Sequence, residues 1–137
     1  MIEKLKESAK INKIDIVETE SIDFLEKHNL DVTKEYDCKN DVGFVKALCV
    51  SANSAQTIID IDKKEKLDKI MKTQDLYIVF HASDIKENLI DAYKFAKQKK
   101  ESAYYIFVSQ ESKTADIEKT LVSGVQGPKR VVFVCVK

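Results

Sequence analysis

The sequence predicts an α/β fold in which a layered, mostly parallel sheet is flanked by helices. Segments with helical and strand-like apolar spacing alternate along the chain, which is the pattern of such folds. Several strand candidates are continuous apolar runs, as expected for strands that are covered on both faces of a parallel sheet. The chain has one proline, three glycines and no low-complexity stretch, so no linker interrupts it. Residues 1–137 are therefore predicted to form a single domain.

The first half of the chain predicts helices and strands in alternation. Ile2, Leu5 and Ala9 share one face at helical spacing, and Ser21 is a residue type that caps helices. In order, the elements are a helix over residues 2–10, a strand over 13–17, a helix over 21–28, an apolar segment over 42–50, a strand over 57–61 and a short helix that contains Leu67, Ile70 and Met71.

The second half of the chain predicts the strongest strands. Leu76–Phe80 and Tyr104–Val108 are continuous apolar runs, and Val131–Val136 is a third. One helix with an apolar stripe is predicted from Ser83, and another over Ser112–Val122. We expect Val131–Val136 to be an apolar edge strand, where self-association into a homo-oligomer is favourable.

Charge and hydropathy argue against several classes of protein. Lys plus Arg and Asp plus Glu each number 23, so the formal net charge is zero, and neither nucleic acid nor an anionic membrane is expected as a partner. No apolar stretch approaches the ~20 residues of a membrane span, and the first residues lack the apolar core of a signal peptide. The expected location is therefore the cytoplasm. The basic run Lys97–Lys100 is interpreted as a solvated helix end, where cations oppose the helix dipole.

The cysteines do not predict a cofactor site. Cys38, Cys49 and Cys135 lack C-x-x-C spacing, and an odd number of cysteines argues against a disulfide framework. Cys49 and Cys135 lie in apolar runs, where a free thiol packs as a small hydrophobic group. Because the chain has only two histidines besides, we expect no metal site and no cofactor.

The first candidate for a ligand site is the polar segment that follows the strand at Tyr104–Val108. Ligands of α/β folds collect beyond the carboxyl ends of the strands. Ser112 and Thr114 begin the predicted helix there, so free backbone N–H groups beside Lys113 suit a carboxylate or a phosphate. The simpler alternative is an ordinary helix cap, in which Asp116 complements the helix dipole.

Two further segments carry candidate site residues. The segment Gly124–Arg130 holds two of the three glycines and the single proline, which marks a tight turn before the last strand. Glycine permits a positive φ or a close backbone approach, so Gly127 is a candidate ligand contact; the alternative is a plain connection. His81 follows a buried strand at a place where α/β sites form, although a lone histidine is more often structural.

Two ordered blocks of residues have counterparts in a known family. Ser112–Glu118, followed by Leu121–Pro128, is similar to a pattern G-P-S-x-T-A-D-I-E that leads to G-V-H-G-P and an apolar strand. Asp41–Ala52 is similar to a segment D-V-G-V-T-x-A that leads to A-E-T-G-T. Both patterns belong to the LUD (lactate-utilization) domain family. The resemblance covers residues 41–137.

The resemblance implies a fold and a cellular setting. The fold would be like that of the ribose-phosphate isomerase, glucosamine-phosphate deaminase and CoA-transferase group. The setting would be the cytoplasmic system that oxidises lactate to pyruvate. In that system the iron–sulfur clusters belong to partner oxidoreductase subunits, which suits a chain without cluster cysteines. The resemblance does not imply a reaction for this chain.

Several positions depart from the family pattern. Asn53 and Ala55 replace Glu and Gly of A-E-T-G, Gln110 and Glu111 replace Gly-Pro, and Gln126 replaces His. An amide cannot form the acyl intermediate of a carboxylate nucleophile, so the CoA-transferase reaction has no nucleophile at Asn53. The chain is also expected to be short at its N-terminal end compared with typical members. These departures favour a diverged or accessory domain over a full enzyme.

The leading hypothesis is therefore an accessory subunit that binds a small carboxylate or phosphate. Lys113 would supply the charge, Ser112 and Thr114 hydroxyl and backbone donors, and Asn53 and Gln126 neutral hydrogen bonds.

Two alternatives stay open. One is a stand-alone enzyme acting on a sugar phosphate or a CoA thioester, with Asp116 or Glu118 as general base and Lys113 as phosphate ligand. The other is a purely structural domain that is held in an oligomer.

Overall fold

Two five-stranded sheets and three α-helices make up the computed structural model, which describes residues 1–101, 104–109, 114–116 and 127–137. For residues 114–116 only the backbone is described. The combination of mixed sheets and flanking helices confirms the predicted α/β class. In this part of the chain no helix is both long enough and apolar enough to cross a membrane.

Most predicted elements are present, with shifted ends. The helices are α1 (Ile2–Ile11), α2 (Lys64–Met71) and α3 (Leu89–Lys99), with short 3-10 helices at Asp23–His28 and Ala82–Asp84. The strands are β1 (Asp15–Thr19), β2 (Tyr36–Lys39), β3 (Val42–Lys46), β4 (Cys49–Ser51), β5 (Gln56–Ile61), β6 (Asp75–His81), β7 (Ile85–Lys86), β8 (Tyr104–Val108), β9 (Thr114–Asp116) and β10 (Arg130–Val136).

The first sheet has the strand order β1-β10-β6-β3-β2 and is parallel except where β2 pairs with β3. The expectation of a mostly parallel sheet is met in this layer. β10 lies between β1 and β6, so the expectation that Val131–Val136 forms an edge strand is wrong. Its side chains enter a core on each face, Phe133 on one and Val134 on the other. A strand that is buried on both faces is apolar throughout, which explains the continuous apolar sequence of Val131–Val136.

The second sheet has the order β7-β4-β5-β8-β9, and in the described residues its pairs are antiparallel apart from β4 with β7. The helix predicted over Ser112–Val122 is wrong at Thr114–Asp116, because these residues pair with β8 as β9. Pairing with a neighbouring strand outweighs the helix-start signal of Ser and Thr. The rest of that predicted helix lies outside the described residues.

The helix predicted from Ser83 begins later in the chain. A 3-10 turn comes first, and Ile85–Lys86 then pair with β4 as β7. α3 begins at Leu89, and its cap is Asn88, whose side-chain oxygen accepts a hydrogen bond from the Asp91 N–H at 2.8 Å. Asparagine at this position satisfies one of the free donors of the first helical turn, so the helix begins here.

Three apolar clusters of the described residues join the layers. The largest lies between the two sheets, where Phe133 of β10 and Ile106 of β8 meet side chains of α1 and α2. α3 covers the other face of the second sheet, with Ala92 packed near Ile58. Leu25, in the first 3-10 helix, covers the other face of the first sheet.

Candidate functional site

His81 and Gly127, two of the predicted site residues, lie at opposite ends of the first sheet. His81 is the exposed last residue of β6, and Gly127 comes shortly before Arg130, the first residue of β10. The parallel register places Arg130 beside Asp75 and Val136 beside His81. Because a strand rises about 3.3 Å per residue, the two ends are roughly 20 Å apart. The structure therefore does not bring His81 and Gly127 together.

The other predicted site residues are placed only in part. Asn53 is exposed in the turn between β4 and β5, where its N–H donates to the Glu87 carbonyl at 3.0 Å and its carbonyl accepts from Ser8 Oγ at 2.9 Å. Thr114 and Asp116 contribute backbone to β9. The remaining three lie outside the described residues: Ser112, Lys113 and Gln126. The ligand-binding role of the eight residues stays a prediction.

A cluster of charged side chains that includes none of these residues lies at the ends of α2 and α3. We call it the Asp60 cluster, and it consists of Glu35, Asp60, Lys66 and Lys100. Asp60 of β5 is fully buried, and the Lys66 side chain of α2 is only 1 % exposed. The Asp60 carboxylate lies 2.7 Å from Lys100 Nζ and 3.5 Å from Lys66 Nζ. Glu35 Oε1 is 3.7 Å from each ammonium group.

The local fold explains why Asp60 and Lys100 meet. Asp60 and Ile58 lie on the same face of β5, because side chains alternate along a strand, and α3 packs on that face. Lys100 is the C-cap residue that directly follows α3. Its carbonyl accepts a hydrogen bond from the Tyr105 hydroxyl at 2.6 Å, and Tyr105 is the cross-strand neighbour of Asp60. The end of α3 is thereby anchored beside the buried carboxylate.

Lys66 comes near Asp60 because α2 follows β5 after a short connection. The Lys66 ammonium also lies 5.8 Å from the centre of the Tyr36 ring. Tyr36 begins β2, which contacts α2. A buried ammonium has three N–H donors to satisfy, yet the nearest carboxylate oxygens of the described residues are 3.5 and 3.7 Å away. Lys66 is therefore a buried cation with loose contacts.

The charge balance of the cluster depends on Glu35. Burying an ion is costly unless an opposite charge compensates it. The hydrogen bond to the Asp60 carboxylate raises the pKa of Lys100 above its ordinary value, so Lys100 stays charged. One buried carboxylate then faces two ammonium groups. The second negative charge comes from Glu35, whose side chain is 44 % exposed.

A pocket of about 310 Å³ lies between β2 and α2 and shares one residue, Glu35, with the cluster. Glu35 belongs to both, and Tyr36 lines the pocket while its ring contacts Lys66. The lining residues are Lys34, Glu35, Tyr36, Asp37, Cys38 and Lys69. Lys66 and Lys100 are not among the lining residues, but Glu35, which is, lies 3.7 Å from both of their ammonium groups.

The chemistry of the pocket favours binding over nucleophilic catalysis. Burial, reinforced by the charge of Asp37, raises the pKa of the Cys38 thiol to about 11, so the thiolate is scarce near neutral pH. Among the described residues, no group of three or more His, Cys, Asp or Glu side chains is arranged to hold a metal ion. The distinctive feature of this site is its pair of lysines.

Sequence reasoning missed the Asp60 cluster, although one signal was present. Asp60 is a carboxylate among the apolar residues of Thr57–Ile61, where the sequence predicts a strand. Lys100 belongs to the run Lys97–Lys100, which lies at the end of α3 as predicted, with the side chains of Lys99 and Lys100 38% and 40% exposed. The sequence did not reveal that these two lysines also pair with buried carboxylates. Lys99 Nζ binds the largely buried Asp84 at 2.8 Å, and Lys100 binds Asp60. A helix end near two buried carboxylates cannot be recognised from helical spacing.

Comparisons with known proteins identify the family. The family model described as the LUD domain matches residues 5–136, which extends the resemblance seen over residues 41–137. A solved structure of a DUF162 family protein from Deinococcus radiodurans is similar to this fold, with a TM-score of 0.65 and 9% sequence identity. The similarity covers 99% of this chain and 96% of that chain. No curated protein matches the sequence. The family match covers nearly the whole sequence, and the chain therefore belongs to the LUD domain family.

Proposed function

We propose that this LUD domain protein binds a small carboxylate or phosphate ligand at the Asp60 cluster. We further propose that it is an accessory subunit of a cytoplasmic lactate-utilization system whose iron–sulfur clusters lie in partner subunits. The observation that carries ligand binding is the buried Lys66 ammonium, which has only loose contacts with carboxylates, one of them with Glu35. Glu35 also lines a pocket of about 310 Å³. Family membership supports the proposed setting.

Binding would occur by exchange of one carboxylate for another. Glu35 is half exposed and 3.7 Å from both ammonium groups, so its ion pairs are weak and its side chain can turn toward solvent. An incoming oxyanion would then take its place beside Lys66 and Lys100. A two-oxygen carboxylate or a phosphate can accept several of the lysine N–H donors. The volume of the pocket suits a ligand as small as lactate or pyruvate.

Isothermal titration calorimetry with lactate, pyruvate and inorganic phosphate tests the site. Glu35→Gln removes the competing carboxylate, so it should bind the anion about ten-fold more tightly than the unchanged protein. Lys100→Met removes one of the two cations and should weaken binding by a similar factor. Lys99→Met is the matched control, because it removes the neighbouring lysine, which pairs with Asp84 instead.

Two results would contradict the proposed site. One is that none of the three anions binds to the folded protein. The other is that Glu35→Gln weakens binding, since that would make Glu35 part of the ligand contacts. Circular dichroism of each variant separates loss of ligand from loss of fold.

The proposed setting needs a separate experiment in cells. Deleting the gene in the source organism should slow growth on lactate but not on glucose, and a tagged copy should copurify with a protein that has iron–sulfur absorbance. Unchanged growth on lactate, together with no such partner, would reject the accessory role without affecting the anion site.

A further inference from the structure

A groove of about 380 Å³ lies between α1 and β1. β1 and β2 are the two edges of the first sheet, so this groove is at the opposite edge from the Asp60 cluster. The groove is lined by three lysines and by apolar side chains. Its lining residues are Lys6, Ala9, Lys10, Lys13, Ile14, Asp15 and Ile16.

The charges of the groove favour a negatively charged occupant. Lys6 pairs with Glu18, and the hydrogen bond to that carboxylate raises the pKa of Lys6. Lys10 and Lys13 form no ion pair with any residue that the structure describes. The one carboxylate of the lining, Asp15, lies 3.1 Å from the Arg130 guanidinium and is already compensated. Within the described part of the chain, two positive charges of the groove therefore have no counter-charge.

The strand edge beside the groove favours an extended occupant. Within the described ranges β1 pairs with β10 alone. Along its other side, an edge strand presents unpaired N–H and C=O groups that can pair with another strand. Val17, which is 38% exposed, adds apolar surface at the middle of this strand.

We propose that the edge of β1 and the lysine groove form a docking surface for an acidic, extended segment of a partner protein. The segment would join the first sheet as an additional strand beside β1. Main-chain hydrogen bonds would supply affinity, as in other cases of strand addition. Glutamate or aspartate side chains on the face toward α1 would contact Lys6, Lys10 and Lys13.

A second copy of the chain is a poorer occupant of the same edge. α1 flanks β1, so pairing two copies through β1 would bring the lysines of both grooves together. Like charges that face each other across an interface oppose association, and lysines on edge strands prevent pairing between copies in this way. An acidic partner instead neutralises these lysines.

Binding of two short peptides tests the proposal. One alternates glutamate with threonine and valine, and the other has lysine in place of glutamate. The acidic peptide should bind and the basic peptide should not. The double variant Lys10→Glu with Lys13→Glu should bind the acidic peptide at least about ten-fold more weakly. Lys72→Glu with Lys94→Glu is the matched control for net charge, because both lysines are exposed elsewhere.

A third peptide separates strand addition from simple attraction of charges. It has the acidic sequence with alternate backbone nitrogens methylated, which removes main-chain donors and keeps the charge. Strand addition requires this peptide to bind much more weakly. Three results would each overturn the proposal. The first is that the methylated peptide binds as tightly as the unmethylated acidic peptide, and the second is that the control variant weakens binding as much as the groove variant. The third is that the protein forms a dimer that disappears on Lys10→Glu with Lys13→Glu. The groove variants should leave lactate and phosphate titrations unchanged, so this test is independent of the Asp60 cluster.

Discussion

At the scale of single residues, Asp60 occupies a position where a carboxylate is costly to bury. Removal of water from two ions is offset only when their geometry is good. The contact with Lys100 is short, at 2.7 Å, whereas the contact with Lys66 is longer, at 3.5 Å. A cluster with one close pair and one loose cation is better suited to holding a ligand than to stabilising the fold.

Asp60→Asn should strongly destabilise the protein. The amide leaves Lys66 and Lys100 without their buried counter-charge, and removal of one partner from a buried pair costs about 3–5 kcal/mol. Urea unfolding measures the change. Asp15→Asn, at the exposed pair with Arg130, should change the free energy of unfolding by about 1 kcal/mol or less.

The combination of Asp60→Asn with Lys100→Met should recover part of the lost stability, because both charges of the close pair are then absent. If Asp60→Asn were as stable as the unchanged protein, the buried charges would not depend on each other.

The thiols should react slowly and with a steep pH dependence. Burial raises the pKa of Cys38 to about 11 and that of Cys49 to about 12. At pH 8 the Cys38 thiolate is then roughly one part in a thousand, so labelling should be roughly a hundred-fold slower than for a free cysteine. Because the thiolate is the reactive form, the rate should rise about ten-fold per pH unit until the pKa is reached.

Labelling with Ellman's reagent, followed by peptide mapping, assigns these rates to each cysteine. In urea all three cysteines should react as free thiols, which provides the control. Labelling of Cys38 at the free rate in the native protein at pH 8 would contradict the burial of this thiol.

At the scale of elements, the β2–β3 hairpin shows how a turn and a glycine act together. Asn40 and Asp41 form its two-residue turn with positive φ values of 51° and 69°. Such turns match the twist of the paired strands, and asparagine and aspartate tolerate this conformation. Gly43 follows in β3, where a Cβ atom would lie 2.7 Å from Cys38 Sγ and 2.7 Å from Thr73 Cγ2.

Gly43→Ala should therefore destabilise the hairpin. An added methyl group in a filled space costs about 1–3 kcal/mol, because neighbouring side chains must shift. Thermal unfolding followed by circular dichroism measures the change. Cys38→Ala in the same chain removes one of the two close contacts and should restore part of the stability. An unchanged melting temperature for Gly43→Ala alone would show that the space is not filled.

Elements were predictable where the local pattern decides them. The apolar runs at β6, β8 and β10 predicted strands because their burial on two faces leaves no polar position. Thr114–Asp116 became a strand through pairing with β8, and the segment after Ser83 became β7 through pairing with β4. Such pairings depend on residues far away in the sequence, so periodicity alone did not reveal them.

At the scale of the whole molecule, the two sheets share one core. Phe133 of the internal strand β10 is fully buried and lies edge-to-face with Phe80, 5.6 Å between ring centres. The same cluster contains Ile59 and Ile106 of the second sheet. The two sheets should therefore unfold together.

Phe133→Ala should reduce the protection of backbone amides against hydrogen exchange equally in both sheets. Removal of a fully buried phenylalanine side chain costs about 3–5 kcal/mol through lost contacts and the cavity left behind. Hydrogen exchange of amides in β6 and β8 measures the effect in each sheet. Loss of protection in β6 alone would mean that the sheets are separate folding units.

The sequence by itself determined the α/β class, the positions of the apolar strands and membership of the LUD domain family, because apolar spacing and ordered motifs are local properties of the chain. Only the tertiary structure decided the division into two sheets, the internal position of β10 and the meeting of Glu35, Asp60, Lys66 and Lys100. Local spacing determines which side chains are buried. It does not determine which distant charges become neighbours, since that depends on the path of the chain between them.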